Sequence, residues 1–352
     1  MSKLSSAPVP VATAGRELPP WLVGHWQRLW KAQVKGRLGH AWLFTGPVGL
    51  GKRLFAERLA RALLCQHPDE DGAPCGVCSE CHLIDAGYHP DLQRIVPDAE
   101  SASGEIKVDA IRELVALENL TSHRGGYKVV HIVPAEAMNR AAANSLLKTL
   151  EEPTERTLLL LIADDASRLP ATIRSRCQHL VCVPPPEHEA LPWLAAMLQS
   201  PPAPPELLLR LARGAPLKAL TMGQADYLSL RRQGFQQFLG VAEGREDPLA
   251  VAAAWQSLDM PLLLELALGW LCDIARLIGD PQAQYLSNPD LHDALLALAL
   301  RLPSEKLHEF LRHCLRAGSL QQGSVNKQLL LESLLIRWAL LGAAGAMASS
   351  SQ

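Results

Sequence analysis

The spacing of apolar positions changes character along this chain, and the changes divide it into elements. From Trp21 to Arg37, Leu22, Trp26, Leu29, Trp30 and Val34 recur near helical spacing and predict a helix. Ala41-Trp42-Leu43-Phe44-Thr45 is a short apolar run that reads as a strand, and Leu54 to Leu64 returns to helical spacing. His89 to Pro97 predicts a second strand. Ile106 to Leu120 predicts a helix with Ile106, Ala110, Ile111, Leu114 and Leu117 on one stripe. Tyr127 to Val133 is a buried strand, Asn139 to Glu152 a helix, and Leu158 to Ala163 another buried strand. Strands that alternate with helices, and that carry continuous apolar runs, predict a parallel sheet covered on both faces. Beyond Pro184-Pro185-Pro186 the pattern is helical throughout, with Leu/Ala-rich helices such as Leu262 to Ile278 and Leu329 to Leu341. Ala343 to Gln352 is small and polar, and reads as a frayed tail.

Composition narrows the class. A chain of 352 residues, 48% hydrophobic and 20% charged, suits a soluble globular protein of two or three domains. Its net charge of -2 argues against a free-standing zinc nucleic-acid binder, which would be plainly basic. Met1 to Pro20 lacks the charged start and apolar core of a signal peptide. The best membrane candidate, Leu329 to Ala348, is interrupted by Glu332 and Arg337 and reads as a core or interface helix. A cytoplasmic location is therefore expected.

Two motifs carry chemistry. Gly46-Pro47-Val48-Gly49-Leu50-Gly51-Lys52-Arg53 fits the phosphate-binding loop G-x-x-x-x-G-K-S/T until its last position, where Arg53 replaces the hydroxyl that would hold Mg²⁺. Gly46, Gly49 and Gly51 allow a tight turn whose amides face phosphate, and Lys52 adds a point charge. Cys65, Cys75, Cys78 and Cys81 are spaced C-x₉-C-x₂-C-x₂-C, four thiolates suited to a structural tetrahedral Zn²⁺. An iron–sulfur cluster would ask for a further C-x₃-C-P, which is absent. A working ATPase also needs an acid at the end of a strand to help hold Mg²⁺. Strand 127–133 ends Val133-Pro134 without one, whereas strand 158–163 runs into Asp164-Asp165. An active ATPase using Lys52 with Asp164 or Asp165 is thus the internal alternative.

His40-Ala41-Trp42-Leu43-Phe44, the four cysteines, Ala142 through Leu150-Glu151-Glu152-Pro153, and Ile173-Arg174-Ser175-Arg176-Cys177 together resemble the AAA+ clamp loaders of bacterial DNA polymerase III. The match spans about residues 18–220. The resemblance implies a P-loop core at 1–185 with the zinc module at 65–81, a helical lid at 186–226, and a helical collar at 227–343 before the tail at 344–352. It places motor-subunit acids at Val133-Pro134, a sensor threonine near Asp164 and a lid arginine near Leu217, so three catalytic parts are missing here. It therefore implies a subunit of the polymerase complex without an active site of its own, with an active motor subunit as the alternative. Lys52 is kept, which leaves ATP or ADP binding open. Implied partners are delta and motor (tau/gamma) subunits in a hetero-pentamer that loads a sliding clamp onto primed DNA. Arg176 is implied as an arginine finger for a neighbour's ATP, with Arg174 as the local alternative.

Overall fold

A computed structural model describes residues 17–98, 104–118, 122, 124, 126–224, 226–320 and 326–349. The chain forms two compact units: one runs to Leu194 and includes Ala215–Lys218, the other holds Ala195–Gly214 and Ala219 onward.

In the first unit, α1 (Pro20–Val34) begins with proline at its first turn, where a missing amide costs nothing. Then come β1 (Ala41–Thr45), α2 (Lys52–Leu64), α3 (Ser79–Asp85), β2 (Leu92–Ile95), α4 (Val108–Glu118) and β3 (Lys128–Ile132). After these follow α5 (Arg140–Glu151), β4 (Thr157–Ala163), α6 (Ala171–Arg174) and β5 (Gln178–Val181). The five strands form one parallel sheet in the order β2-β3-β4-β1-β5. All seven residues of β4 are buried, as a central strand covered on both faces requires.

Successive side chains point to opposite faces. Leu43, Leu159 and Leu161 join Ile111, Leu114, Leu146 and Leu150 in one core. Phe44 points the other way and meets Phe55 of α2 edge-on at 5.4 Å, which in turn meets Trp26 of α1 at 5.7 Å.

Some boundaries differ from the sequence pattern. Helix α4 starts at Val108 because Ile106 is already engaged: its N–H donates to Ala137 O and its C=O accepts from Asn139 N. Leu120, the expected end of that helix, lies outside the described residues. Strand β5 was not foreseen, since only Leu180 of its four residues is buried at this sheet edge.

The second unit is helical among the described residues. The remaining helices are α7 (Glu187–Met197), α8 (Pro205–Leu211), α9 (Pro216–Gln224), α10 (Tyr227–Ala242), α11 (Pro248–Trp255), α12 (Met260–Gly279), α13 (His292–Arg301), α14 (Ser304–Leu320) and α15 (Lys327–Ser349). The chain crosses between the units within α7 and around the start of α9. The tail expected from Ala343 is instead helical to Ser349, because its alanines and methionine are good helix formers that continue an existing helix. The last three residues lie outside the described set.

Trp338 of α15 is the centre of this unit's core. Its ring stacks on Phe238 at 4.2 Å and on Phe310 at 5.4 Å, and its Nε1 donates to Phe238 O at 2.8 Å. Trp270 packs against Phe235 and Phe238 from α12. Trp338→Ala should cost about 3–5 kcal/mol of stability, the range for a buried aromatic replaced by alanine. A denaturant melt showing under about 1 kcal/mol would mean that Trp338 is not the keystone of this core.

Candidate functional site

The phosphate-binding motif lies where the sequence places it, between the end of β1 and the start of α2. Gly46, Gly49 and Gly51 all have positive φ. At Gly49 a side chain would also fail on space, since a Cβ would come within 2.7 Å of the Lys218 backbone nitrogen. That segment seals the loop from one side: Leu217 N donates to Gly49 O at 3.1 Å. Leu217, where the resemblance places the counterpart of a lid arginine, is buried against the loop.

Lys52 is turned inward and almost fully buried, at 4% exposure. Its Nζ donates to Gly46 O at 2.5 Å and Pro47 O at 2.8 Å, and pairs with Asp164 Oδ1 at 2.8 Å. The sheet explains that pair. In the β1–β4 register Thr45 lies opposite Ala163, so the next residues, Gly46 and Asp164, emerge side by side. Glu136, which the sequence did not single out, accepts from Asp164 N at 2.8 Å and Asp165 N at 3.3 Å.

Asp165 is committed elsewhere. Its Oδ1 accepts from Ser167 N and Ser167 Oγ, and the Ser167 hydroxyl and amide hold its carboxyl below the usual range. Beyond β3, Val133-Pro134 bring no carboxylate, and Arg53 is exposed on the first turn of α2.

The four cysteines converge. Cys65 follows α2, Cys78 caps α3, and Cys81 lies in its first turn, so a segment that reads as loop closes on a short helix. Every pair of sulfurs lies within 4.8 Å, with Cys65–Cys78 at 3.9 Å and Cys75–Cys81 at 4.0 Å. Tetrahedral ligands at about 2.3 Å from a Zn²⁺ would sit about 3.8 Å apart. All four thiols are free, and the amides of Cys75 and Cys81 donate to the sulfurs of Cys65 and Cys78. Burial raises the Cys65 and Cys81 thiols. At Cys78 burial is outweighed by the amides of Cys81 and Gln66, which bring that thiol down to about 6. Donor chemistry and spacing together fit a metal ion.

Two tryptophans, also missed as site residues, hold the loop that carries Cys75. Trp26 Nε1 donates to Asp71 O at 2.7 Å and Trp30 Nε1 to Glu70 O at 3.1 Å, with the two rings stacked. A Cβ at Gly72 would lie 2.3 Å from the Trp30 ring, so the loop approaches it as only glycine can.

The arginine segment joins α6 to β5. Arg176 is tethered to Glu151, the last residue of α5, through Nε at 2.8 Å and a short contact from Nη2, while Nη1 donates to Thr172 O at 3.1 Å. It keeps 35% side-chain exposure. Arg174 Nε is enclosed and has no hydrogen-bond partner. Gln178, two residues after Arg176, pairs with Trp42 near the start of β1, whereas the phosphate loop follows Thr45 at its end. At about 3.3 Å per strand residue that separates the two ends by roughly 13 Å.

A parallel sheet in this order, a phosphate loop after its first strand and a helical region following in the chain define a P-loop protein of the AAA+ type. A family profile described as "DNA polymerase III, delta subunit" matches residues 24–185, and one described as "DNA polymerase III, delta subunit, C terminal" matches 225–339. DNA polymerase III subunit delta' of Pseudomonas aeruginosa is 40% identical over 91% of this chain and 98% of its own length. The Escherichia coli subunit delta' is 33% identical over 90% and 94%. The tau subunit of Escherichia coli is 40% identical over 40% of this chain and 21% of its own length. The chain belongs to the DNA polymerase III delta' subunit family.

A metal ion in the cysteine cluster would tie α2, the loop and α3 together. Chelation with excess EDTA should therefore lower the thermal midpoint of the unaltered chain and leave that of Cys81→Ser unchanged. Equal response of both proteins would rule out a metal at these sulfurs.

Proposed function

We propose that the chain is the non-catalytic member of a clamp loader: an ATPase-defective delta'-type subunit that helps place a sliding clamp on primed DNA. The observation that carries this is the state of the phosphate loop within a delta' family chain. Hydrolysis needs Mg²⁺ held against the phosphates and a positioned water. Arg53 stands at the hydroxyl position, Val133-Pro134 at the acid positions, and the Lys52 ammonium is committed to Asp164 and the loop's own carbonyls. The rival, an active motor subunit using Asp164 or Asp165, would need carboxylates that are bound to Lys52 and Ser167.

The partners proposed are a delta subunit and tau/gamma motor subunits in a hetero-pentamer, in the cytoplasm. Residues 1–185 would serve as the core, 186–226 as the lid and 227–343 as the collar. No described helix is long and apolar enough to cross a membrane. The metal in the cysteine cluster is zinc: four sulfur ligands leave no open position for chemistry, so its role is structural.

Arg176 is the finger that this subunit offers to a neighbour's ATP. A guanidinium is planar and permanently charged, and it can fork onto phosphate oxygens as charge develops. Its tether suits that task, because a half-exposed pair such as Arg176–Glu151 holds with about 0–1 kcal/mol and can be exchanged for phosphate. Its place at the far end of β1 from the chain's own loop also favours action on another chain.

The purified chain should contain one zinc ion and be colourless; iron in its place would overturn the metal assignment. Alone it should show no ATP turnover above background, and turnover abolished by Lys52→Ala would promote the motor-subunit reading. In a reconstituted complex, Arg176→Ala should leave assembly and zinc intact yet slow hydrolysis and clamp loading. One finger among several sites should cost far less than the roughly 10³–10⁵-fold seen when a GTPase loses its only one. Loss with Arg174→Ala and not Arg176→Ala would transfer the role to Arg174. Normal loading by both variants would end the trans-acting reading.

A further inference from the structure

We infer that Asp164 latches the phosphate-binding loop shut: its carboxylate holds the Lys52 ammonium, so the loop takes up a nucleoside polyphosphate only when that pair opens. An ammonium has three donors and no acceptor. All three of Lys52's are assigned, to Gly46 O, Pro47 O and Asp164 Oδ1. A phosphate arriving at this loop finds the lysine turned inward, and it meets a carboxylate charge of its own sign. Asp164 contributes to both obstacles, taking one of the three ammonium donors and supplying the opposing charge. The loop's three positive-φ glycines are otherwise retained, so the backbone cradle is not what has been lost.

The latch is built into the sheet. Register places Asp164 beside Gly46, and Glu136 receives the Asp164 amide at 2.8 Å and so fixes the turn that carries the carboxylate. Asp165 cannot substitute, because the Ser167 amide and hydroxyl occupy it. Lys52 is 4% exposed while the Asp164 side chain is 37% exposed, so the carboxylate is the half of the pair that solvent reaches. Opening therefore begins with Asp164 swinging away into water, and needs no disruption of the core under Lys52.

The inference concerns binding alone and holds whether or not Arg176 serves a neighbour. It is tested on the full-length, metal-loaded chain by calorimetric titration with ADP and, separately, with inorganic pyrophosphate. Asp164→Asn keeps the amide bonded to Glu136 while removing the charge. It should bind ADP about ten-fold or more tighter than the unaltered chain, because apparent affinity falls with the fraction of molecules in the open state. The gain should vanish in the double variant Lys52→Ala/Asp164→Asn. Pyrophosphate following ADP would assign the gain to the phosphates, and ADP alone responding would refute a latch on the phosphate position.

A second measurement needs no substitution. In the unaltered chain Lys52 should react with acetic anhydride far more slowly than the exposed Lys31, as read by peptide mass spectrometry. Lys52 labelled as fast as Lys31, or ADP bound equally by the unaltered chain and a folded Asp164→Asn or Asp164→Ser, would overturn the proposal.

Discussion

The parallel pairing of β1 with β4 is the constraint on which the rest of this molecule depends. β4 is buried from Thr157 to Ala163, so burial on both faces leaves its backbone no partners but its neighbouring strands. Once Ala41 lies opposite Leu159, everything at the strand ends follows. The glycine loop and Asp164 leave the sheet at one end, and the arginine segment returns to the other, where β5 starts beside Trp42. A one-residue slip would turn the apolar set of β1 over and separate Gly46 from Asp164. The ion pair at the loop and the distance between loop and Arg176 are therefore consequences of one hydrogen-bond register.

Around that sheet the chain replaces missing core with specific anchors. The cysteine segment is too short and polar to bury a core of its own. On one side its four sulfurs converge, and on the other two indoles both pack and donate to the loop carbonyls. The helical unit solves the same problem with size: Trp338, Trp270 and Phe238 fill its centre, and the Trp338 N–H finds a backbone carbonyl at 2.8 Å. Ring geometry carries this core, and of the two indoles at its centre Trp338 has a partner for its polar tip whereas the buried Trp270 Nε1 has none.

Much of this could be read from residues in order. Glycine, lysine and cysteine spacings have local causes, since a tight turn or a metal knuckle is closed by neighbours in sequence. Strands β1, β3 and β4 were legible for the same reason that they are central, namely continuous apolar runs, and β2 was legible although it is an edge strand. β5 was not, because three of its four residues are exposed and only Leu180 is buried, whereas β2 adds two half-buried residues to its buried Leu92. The helical end of α15 was misread as a tail because small residues do not distinguish a fraying terminus from a helix that simply continues.

The sequence by itself determined the α/β core, the helical second half, the spacing of the four cysteines and the loop that lacks its hydroxyl, all of them local patterns along the chain. Only the tertiary structure decided what those residues touch. That Lys52 answers to Asp164, 112 positions later, depends on the β1–β4 register. That Glu151 holds Arg176, that Glu136 caps the turn at Asp164, and that Trp30 needs a glycine at position 72 depend equally on packing. Such pairs leave no local trace, because charge and shape complementarity between distant segments exists only once burial has brought them within hydrogen-bonding distance.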